Sequence, residues 1–436
     1  MKSSNKFVIV GGGASHTPGI IATLLEKREE LKLSELCFYD IDPNRNTPMG
    51  QFAEIYFREN APEVKVSYTT DIREAFTGAD FLFVQIRPGC NKQRELDEKI
   101  PLRHGLVGQE TCGLGGFAFA MRNIPAMLEI VRCATEYCPD AWVLNYSNPE
   151  AIISEAVYRT YPEAKVLCIC DMPISQELVL ADYLGIPHKD LTFGYFGLNH
   201  FGWFTHIYDK EGKDLLPGLR EEILADSSKE ITDGEPETKN FLNVARMFRL
   251  FPEFIPIGYL QYYFFPDEMV ALSNPNYTRA NVILDGRDIT VFEECRKVIA
   301  AGTAKDSGLV AGIHGNYIVD IASSIINNKH ERFIINTMNT GLISNMNQDA
   351  VVEVPCYVGA FGIEPTAVGK IPQFHKSLME MQKGYEKLTV EAALEGSWQK
   401  AVEAVMLNRT VPSYGKAIEV LNELREANRA YWPELK

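Results

Sequence analysis

The N-terminal half of the chain alternates short apolar runs with longer segments of mixed polarity. Helical patterns such as 17–30 and 119–137 lie between most of the apolar runs. Strands that alternate with helices form parallel sheets with right-handed crossovers. The pattern therefore predicts an α/β fold with a doubly wound parallel sheet. The apolar runs that predict its strands are 7–10, 36–39, 81–86, 142–145, 165–169 and 191–196.

The pattern changes beyond residue 203. The stretch 209–240 is rich in charge, glycine and proline and predicts a surface excursion, whereas 387–431 is mostly helical in pattern. A chain of 436 residues is long for one domain and suits two. We predict a first domain over residues 1–197 and a mixed α+β second domain over 198–436, packed around one site.

Composition restricts the partners that the protein can have. A net charge of −15 disfavours nucleic acid and anionic membranes. No apolar run predicts a bilayer-spanning helix, and no signal-peptide pattern is predicted. The nine cysteines are odd in number and lie mostly in apolar runs, which is typical of a reduced, cytoplasmic protein.

A glycine-rich loop follows the first predicted strand. Gly11, Gly12 and Gly13 permit a tight turn and let backbone N–H groups approach a pyrophosphate at a helix N-terminus. The match to G-x-G-x-x-G is incomplete, because Ser15 and His16 follow where a third glycine is expected, so a plain turn is the alternative. Ser15 can still donate its hydroxyl. With the parallel sheet, this loop predicts a Rossmann-type domain that binds a dinucleotide.

An acidic residue at the end of the second predicted strand favours NAD⁺ as that dinucleotide. Asp40 stands where a carboxylate binds the adenosine ribose hydroxyls in such domains. Capping of a turn is its alternative role. Arg45 lies close in sequence and suits the 2′-phosphate of NADP, so the preference for NAD⁺ rests on Asp40.

A thiol, a carboxylate and an imidazole follow two later apolar runs. Cys170 and Asp171 follow 165–169, and His200 follows 191–198. In open α/β sheets, ligands bind at the carboxyl ends of strands. Thiolate and imidazole bind divalent metals, and an adjacent acid suits proton transfer. The pattern predicts a metal site, although packing is the alternative for each residue alone.

Short motifs spread in order over nearly the whole chain carry a family resemblance. They are 11–13, 86–87, 108–113, 145–149, 170–173, 197–200, 259–263, 273–276, 278–281 and 352–356. Together they resemble family 4 of the glycoside hydrolases, and Cys-Asp-Met-Pro at 170–173 resembles its branch specific for 6-phospho-α-glucosides. The glycine loop departs from the family, which usually has Ser-Thr-x-Thr after the glycines.

The resemblance implies a hydrolysis that depends on NAD⁺ and a divalent metal. NAD⁺ takes a hydride from C3 of the sugar, a base removes the C2 proton, and the glycosidic oxygen leaves C1. Water then adds, and the hydride returns. The expected substrate is a phosphorylated disaccharide such as maltose 6′-phosphate. The resemblance implies Mn²⁺; Ni²⁺, Co²⁺ and Fe²⁺ are alternatives, because thiolate and imidazole favour softer ions.

The resemblance also implies the roles of four residues. Cys170 and His200 are the metal ligands, Asp171 is the general acid, and Tyr259 is the base at C2. Asp171 needs a pKa raised by burial to keep its proton, but the metal's charge opposes this, so an ionised role beside the metal is its alternative. Tyr259 needs a nearby cation to lower its pKa.

Substrate contacts follow from the same resemblance. Arg279 matches the ligand of the 6-phosphate, for which a guanidinium fork is suited. Asn148 and Asn199 match contacts to the sugar or around the metal. Arg87 and Arg94 flank the loop after the third predicted strand, where each either orients the sugar or forms a salt bridge.

Three other interpretations stay open at this point. The first is another family 4 specificity, for a 6-phospho-β-glucoside or an unphosphorylated α-glucoside. The second is a 2-hydroxy-acid dehydrogenase of the lactate/malate type, which shares the N-terminal fold. The third is a non-catalytic protein that senses NAD. The family resemblance further implies a homodimer or homotetramer.

Overall fold

The computed structural model describes residues 3–226, 243–308 and 313–436. The predicted excursion at 209–240 therefore lies partly outside the described residues. Its described part holds the end of a strand, a turn and one helix.

The described strands number twelve. They are β1 (Asn5–Val10), β2 (Leu33–Tyr39), β3 (Lys65–Thr69), β4 (Phe81–Val84), β5 (Trp142–Asn145), β6 (Val166–Ile169), β7 (Leu191–Leu198), β8 (Phe201–Asp209), β9 (Ile255–Pro256), β10 (Glu331–Met338), β11 (Val351–Gly359) and β12 (Gly362–Pro365).

The helices of the N-terminal half lie between these strands. They are α1 (Thr17–Glu26), α2 (Pro43–Asn60), α3 (Ile72–Phe76), α4 (Cys90–Arg103), α5 (Gly113–Tyr137), α6 (Glu150–Thr160) and α7 (Met172–Leu184). The described helices of the C-terminal half are α8 (Leu216–Ala225), α9 (Val244–Leu250), α10 (Gln261–Phe264), α11 (Pro266–Leu272), α12 (Arg279–Val282), α13 (Asp288–Ala301), α14 (Ile313–Asn327), α15 (Gln373–Glu395), α16 (Trp398–Leu407) and α17 (Tyr414–Ala427). A π-helical segment, Ile283–Arg287, joins α12 to α13.

All described strands belong to one sheet. Its order is β3-β2-β1-β4-β5-β6-β10-β11-β7-β8-β9, with β12 beside β11. Strands β1 to β6 are parallel and follow the 3-2-1-4-5-6 order of dinucleotide-binding domains. The predicted α/β class, with a Rossmann-type sheet and a mixed second half, is confirmed. Strand β3, which has no long apolar run, was not predicted.

The prediction that β7 belongs to the parallel sheet is wrong. Strands β10 and β11 come from far along the chain and lie between β6 and β7. Each step from β6 through β10 and β11 to β7 is antiparallel, so β7 runs opposite to β6. His200 therefore arrives on the turn of the β7–β8 hairpin, and not at the carboxyl end of a parallel strand.

The sheet is buried on both faces, which explains the unbroken apolar runs. In β1, Phe7 and Ile9 join one core and Val8 and Val10 join the other, as the two-residue period of a strand requires. Helix α15 packs on α5 and α6, and α14 packs on α1, so the second half covers the first. The sheet continues past residue 197, and the division there stays a prediction.

Helix α5 departs from the expectation that no segment could span a membrane. By length and composition it is the one such helix among the residues described. Within its most apolar window, however, 78% is buried inside the protein. Its apolar side chains belong to the second of the two cores, together with residues of α15 to α17.

Candidate active site

The structure brings Cys170 and His200 together. Cys170 directly follows β6, and His200 is the second residue of the two-residue turn between β7 and β8, with a left-handed φ of 60°. Their Sγ and Nε2 atoms lie 3.3 Å apart, and both side chains are buried. The Met172 N–H donates to the Cys170 sulfur at 3.4 Å. One ion can therefore contact both donor atoms.

Thr111 determines which nitrogen of His200 is available to an ion. The Thr111 hydroxyl donates to Oε1 of Gln109 at 2.8 Å and therefore accepts from Nδ1 of His200 at 3.0 Å. This places the ring proton on Nδ1 and leaves the lone pair on Nε2, as a metal ligand needs. Burial lowers the pKa of His200 to about 4, so the ring is neutral at pH 7.

The donor set fits a catalytic metal. Burial raises the pKa of the Cys170 thiol well above its usual value, so a thiolate here needs a cation to form. Within residues 3–226, 243–308 and 313–436 no group of three His, Cys, Asp or Glu side chains is arranged to hold an ion. A site with two protein ligands leaves positions open for substrate oxygens and water.

Tyr259 lies against the same histidine. Its ring stacks on that of His200 with centroids 4.0 Å apart and planes inclined by 12°. Burial, followed by the charge of Glu110, raises the pKa of Tyr259 well above its usual value. The phenol can therefore act as a base only beside a cation, and the Cys170–His200 pair is where that cation would lie.

Asp171 lies at the N-terminus of α7, where its carboxylate meets a histidine that the sequence did not single out. Oδ2 of Asp171 is 3.3 Å from Nδ1 of His314. Burial raises the pKa of Asp171, but the hydrogen bond and charge of His314 outweigh it, so the pKa lies below its usual value. The expected rise is absent, and the ionised alternative is favoured for the ligand-free protein.

Two of the predicted arginines are bound to one buried carboxylate. Oε2 of Glu110 is 2.7 Å from Nη1 of Arg94 and 3.0 Å from Nη2 of Arg87. Burial raises the pKa of Glu110, but Arg94 and then Arg87 outweigh it and lower it to about 2. Arg94 also forms a salt bridge with Glu98 at 2.6 Å, so it has the salt-bridged role that the sequence left open as the alternative to orienting the sugar. Arg87 keeps a buried Nη1 with no partner in the described part of the chain, so it retains a donor for a ligand.

The two predicted asparagines face carboxylates at either side of the site. Nδ2 of Asn148 is 3.4 Å from Oε1 of Glu110. Nδ2 of Asn199 donates to Oε1 of Glu353 at 2.8 Å, and the Tyr195 hydroxyl donates to Oε2 at 2.7 Å. Burial raises the pKa of Glu353 to about 7. Glu353 thus supports the turn that carries His200.

Arg279 is exposed as the first residue of α12, a helix that packs on α4, which carries Arg94. The Ala280 N–H donates to Oε2 of Glu98 at 2.9 Å, which attaches α12 to α4. A further arginine, Arg287, donates to the Ser15 hydroxyl at 3.2 Å. Burial, with the positive charges of Arg279 and its neighbours, lowers the pKa of Arg287. Cationic side chains thus gather between the predicted phosphate site and the glycine loop.

The glycine loop leaves no room for side chains. A Cβ on Gly12 would lie 2.7 Å from Oδ1 of Asn46, and one on Gly13 would lie 2.5 Å from Cβ of Arg45. Gly11 has a φ of +84°. The N–H groups of Gly11 and Gly12 both donate to the Tyr39 carbonyl at 2.9 Å, so the loop is a tight, closely packed turn in which only glycine fits and which leads into α1.

Asp40 and Arg45 brace this loop. Oδ2 of Asp40 accepts from the Gly13 N–H at 2.9 Å, and Oδ1 accepts from the Asp42 N–H at 3.0 Å. This is the turn-capping role, but each carboxylate oxygen keeps a lone pair for a ribose hydroxyl. Arg45 donates to the Gly13 carbonyl at 3.0 Å and lies 3.5 Å from Asp288, so its guanidinium is already engaged. The residues present fit NAD⁺ well.

Five residues of the site were not assigned roles from the sequence. One of them had a readable signal, because Glu353 is a lone charge inside an apolar strand. Two others lie within the motif 108–113, which was recognised without a role for each residue. The remaining two lie in helical segments far along the chain. The five are Glu110, Thr111, Arg287, His314 and Glu353.

Comparison with known proteins shows the family to which the chain belongs. The sequence model of "Family 4 glycosyl hydrolase" matches residues 6–186, and that of "Family 4 glycosyl hydrolase C-terminal domain" matches residues 195–411. A 6-phospho-alpha-glucosidase of Leptotrichia buccalis is 48% identical over 434 residues, which cover 98% of this chain and 99% of that protein.

Two solved structures have the same fold over nearly their whole length. A 6-phospho-alpha-glucosidase from gut microorganisms in complex with NAD and Mn²⁺ has a TM-score of 0.96 and 41% identity, covering 99% of this chain and 100% of that one. Another 6-phospho-alpha-glucosidase structure from gut microorganisms, in complex with NAD and glucose-6-phosphate, has a TM-score of 0.94 and 39% identity, with the same coverage. The chain described here belongs to family 4 of the glycosyl hydrolases.

Proposed function

We propose that this protein is a 6-phospho-α-glucosidase that depends on NAD⁺ and a divalent metal, Mn²⁺ above all. It hydrolyses 6-phosphorylated α-glucosides such as maltose 6′-phosphate to glucose 6-phosphate and a sugar. The observation that carries the proposal is the Cys170–His200 pair, with Asp171 adjoining one ligand and Tyr259 stacked on the other. Relatives named for this activity match over nearly the full chain, and two of their structures hold NAD with Mn²⁺ or glucose-6-phosphate.

Two residues account for the protons at C2 and at the glycosidic oxygen, while the C3 hydroxyl proton passes to water when the hydride leaves C3 and comes back when the hydride returns. When bound, NAD⁺ accepts and returns the C3 hydride and a divalent ion at Cys170 and His200 polarises the sugar oxygens. Tyr259 removes the C2 proton. Asp171, which is ionised in the ligand-free protein, takes up a proton when substrate binds and gives it to the glycosidic oxygen as the C1 bond breaks. Water then adds its hydroxyl to C1 and returns a proton to Asp171, while Tyr259 returns its proton to C2. Both residues end in the states that they had with substrate bound.

Recognition of the 6-phosphate belongs to the arginines. We assign the phosphate to Arg279, whose exposed guanidinium suits paired phosphate oxygens. Arg87 can add the donor that it keeps free, whereas Arg94 mainly holds Glu98 and Glu110 in place. Asn148 and Asn199 would contact sugar hydroxyls or the shell of the metal.

Assembly and location are proposed from the family resemblance. We expect a homodimer or homotetramer in a cytoplasmic setting, in line with the nine free cysteines. Light scattering coupled to size exclusion measures the oligomeric state directly.

The proposed mechanism requires the C2 proton to exchange with solvent. Glucose 6-phosphate released in D₂O should carry deuterium at C2, although no NADH accumulates. A glycosidase that acts by direct displacement leaves C2 untouched. Mass spectrometry of product sampled early measures the label before any contaminating isomerase can introduce it.

Tyr259→Phe provides the matched variant for this test, because it removes the proposed base and keeps the ring that stacks on His200. Both label and turnover should fall together. Early product without deuterium at C2 would refute the elimination mechanism. Full turnover by Tyr259→Phe would instead remove the base assignment alone.

A further inference from the structure

His314 is the most unusual side chain beside the site, because its ring is held on both faces. One face stacks on Tyr146 with centroids 3.8 Å apart and planes inclined by 15°, and the other stacks on His16 at 4.6 Å and 30°. Tyr146 follows β5, and His16 belongs to the glycine loop. Two segments distant from α14 therefore hold one imidazole in place.

One of the two ring nitrogens of His314, Nδ1, contacts another side chain. Nδ1 of His314 lies 3.3 Å from Oδ2 of Asp171, where it donates to the carboxylate. Nε2 is buried and has no hydrogen-bond partner among the residues that the structure describes. Buried polar atoms with a structural role are nearly always paired, so a histidine that serves stability alone would be expected to use both nitrogens. Its one polar contact points to a role exercised through Asp171.

We infer that His314 is a positioning residue, which holds the Asp171 carboxyl in the orientation that protonates the leaving glycosidic oxygen. The inference rests on the proposed function, and specifically on Asp171 as the acid. A carboxyl has two equivalent oxygens and a broad side-chain torsion, so a free Asp171 would sample many orientations. A donor fixed between two rings restricts Oδ2, and Tyr146, whose ring stacks on His314, also interacts with this carboxyl.

A leaving-group comparison separates this role from a structural one. A p-nitrophenolate leaves without being protonated, whereas the sugar released from maltose 6′-phosphate needs a proton. His314→Leu removes the donor and keeps bulk between the rings. It should lower kcat on maltose 6′-phosphate roughly 10- to 100-fold, part of the usual effect of a general acid, and change kcat on p-nitrophenyl α-glucoside 6-phosphate little. KM should stay similar for both substrates.

His314→Asn is the matched rescue variant, because its amide can place an N–H near the position of Nδ1. It should recover most of the rate on maltose 6′-phosphate. A second readout is deuterium at C2 of unreacted maltose 6′-phosphate in D₂O. This label should rise in His314→Leu, since slow departure of the leaving group lets the C2 carbanion be reprotonated.

Asp171→Asn distinguishes failure of the inference from failure of the proposed function. If Asp171 is the acid, this variant shows the same selective loss, and adding His314→Leu to it costs nothing further. Equal losses on both substrates in folded His314→Leu and His314→Asn, with a selective loss in Asp171→Asn, would overturn the positioning role alone. Unchanged cleavage of maltose 6′-phosphate by Asp171→Asn would overturn the acid assignment, and the positioning role with it.

Discussion

At the scale of single residues, the proposed metal site depends on the proton that His200 carries on Nδ1, the ring nitrogen that faces away from the metal. The Thr111 hydroxyl, oriented by Gln109, accepts from Nδ1 of His200 and so reserves Nε2. Burial keeps this ring neutral and keeps the Cys170 thiol protonated until a cation arrives. Metal binding should therefore release a proton from Cys170.

The two cysteines at the end of β6 give a matched pair for testing this site. Cys170→Ser should weaken Mn²⁺ binding at least roughly 10- to 100-fold, because a serine hydroxyl is a poor ligand. That range is the usual cost of losing a residue that only hydrogen-bonds to a metal ligand, and Cys170 is proposed as a ligand itself. Cys168→Ser, buried inside the strand, should keep the metal and the activity. Metal content after gel filtration measures the difference. Equal Mn²⁺ occupancy in both variants would contradict the ligand assignment.

At the scale of elements, the glycine loop is held rigidly by the strands around it. Asn46 of α2 donates to the Phe38 carbonyl at 3.1 Å and to the Thr69 carbonyl at 3.0 Å. A Cβ added to Gly12 would lie only 2.7 Å from Oδ1 of Asn46, which is too close for two non-bonded atoms. Because Asn46 joins two strands, it cannot move aside easily.

Gly12→Ala should therefore distort the loop, lower the free energy of unfolding by roughly 1–3 kcal/mol and weaken NAD⁺ binding at least tenfold. Titration calorimetry with NAD⁺ and urea unfolding measure the two effects. Gly218→Ala is the control, since a Cβ there meets nothing within 4 Å and the residue lies inside α8. If Gly12→Ala bound NAD⁺ as tightly as the control, the loop would not be the pyrophosphate site.

At the scale of the whole molecule, one continuous sheet joins the nucleotide half to the catalytic half. Glu353 of β11 pairs in register with Gly197 of β7 and also bonds Asn199. It is fully buried, and burial raises its pKa from 4.5 to about 7. Protonation of Glu353 is thus coupled to the β7–β11 pairing that positions His200.

The sign of the resulting pH dependence follows from the raised pKa. Stability from protonated Glu353 is fully present below about pH 4.5 and is lost as pH rises through about 7. Glu353→Gln is permanently neutral. The difference between its free energy of unfolding and that of the wild type should therefore grow in its favour as pH rises from 5 to 8, by up to about 3 kcal/mol. Urea unfolding with a chelator present measures this.

Glu364→Gln is the control for this prediction, because Glu364 is exposed on the neighbouring strand β12. It should follow the wild type at every pH. A constant difference between Glu353→Gln and the wild type from pH 5 to 8 would show that Glu353 is already ionised in the folded protein.

Short-range patterns in the sequence predicted five of the first six strands, the glycine loop and the residues at strand ends. Apolar runs such as 7–10 and 81–86 are long because both faces of a parallel sheet are buried, and that periodicity is local. Cys170 and Asp171 were recognised from the motif 170–173 and Tyr259 from the motif 259–263, and each motif spans only a few residues. Strand β3 was missed because its positions are only partly buried.

Only the tertiary structure decided how these parts meet. Nothing near β6 or β7 in the sequence says that β10 and β11 pass between them, since pairing over such separations depends on the whole core. The same reason hid His314, which reaches Asp171 across 143 positions, and Arg287, which reaches Ser15 across 272. The sequence by itself indicated which side chains to expect at the site, such as Cys170, Asp171 and His200. Their protonation, pairing and orientation come from burial and from partners that folding alone brings within 3–4 Å.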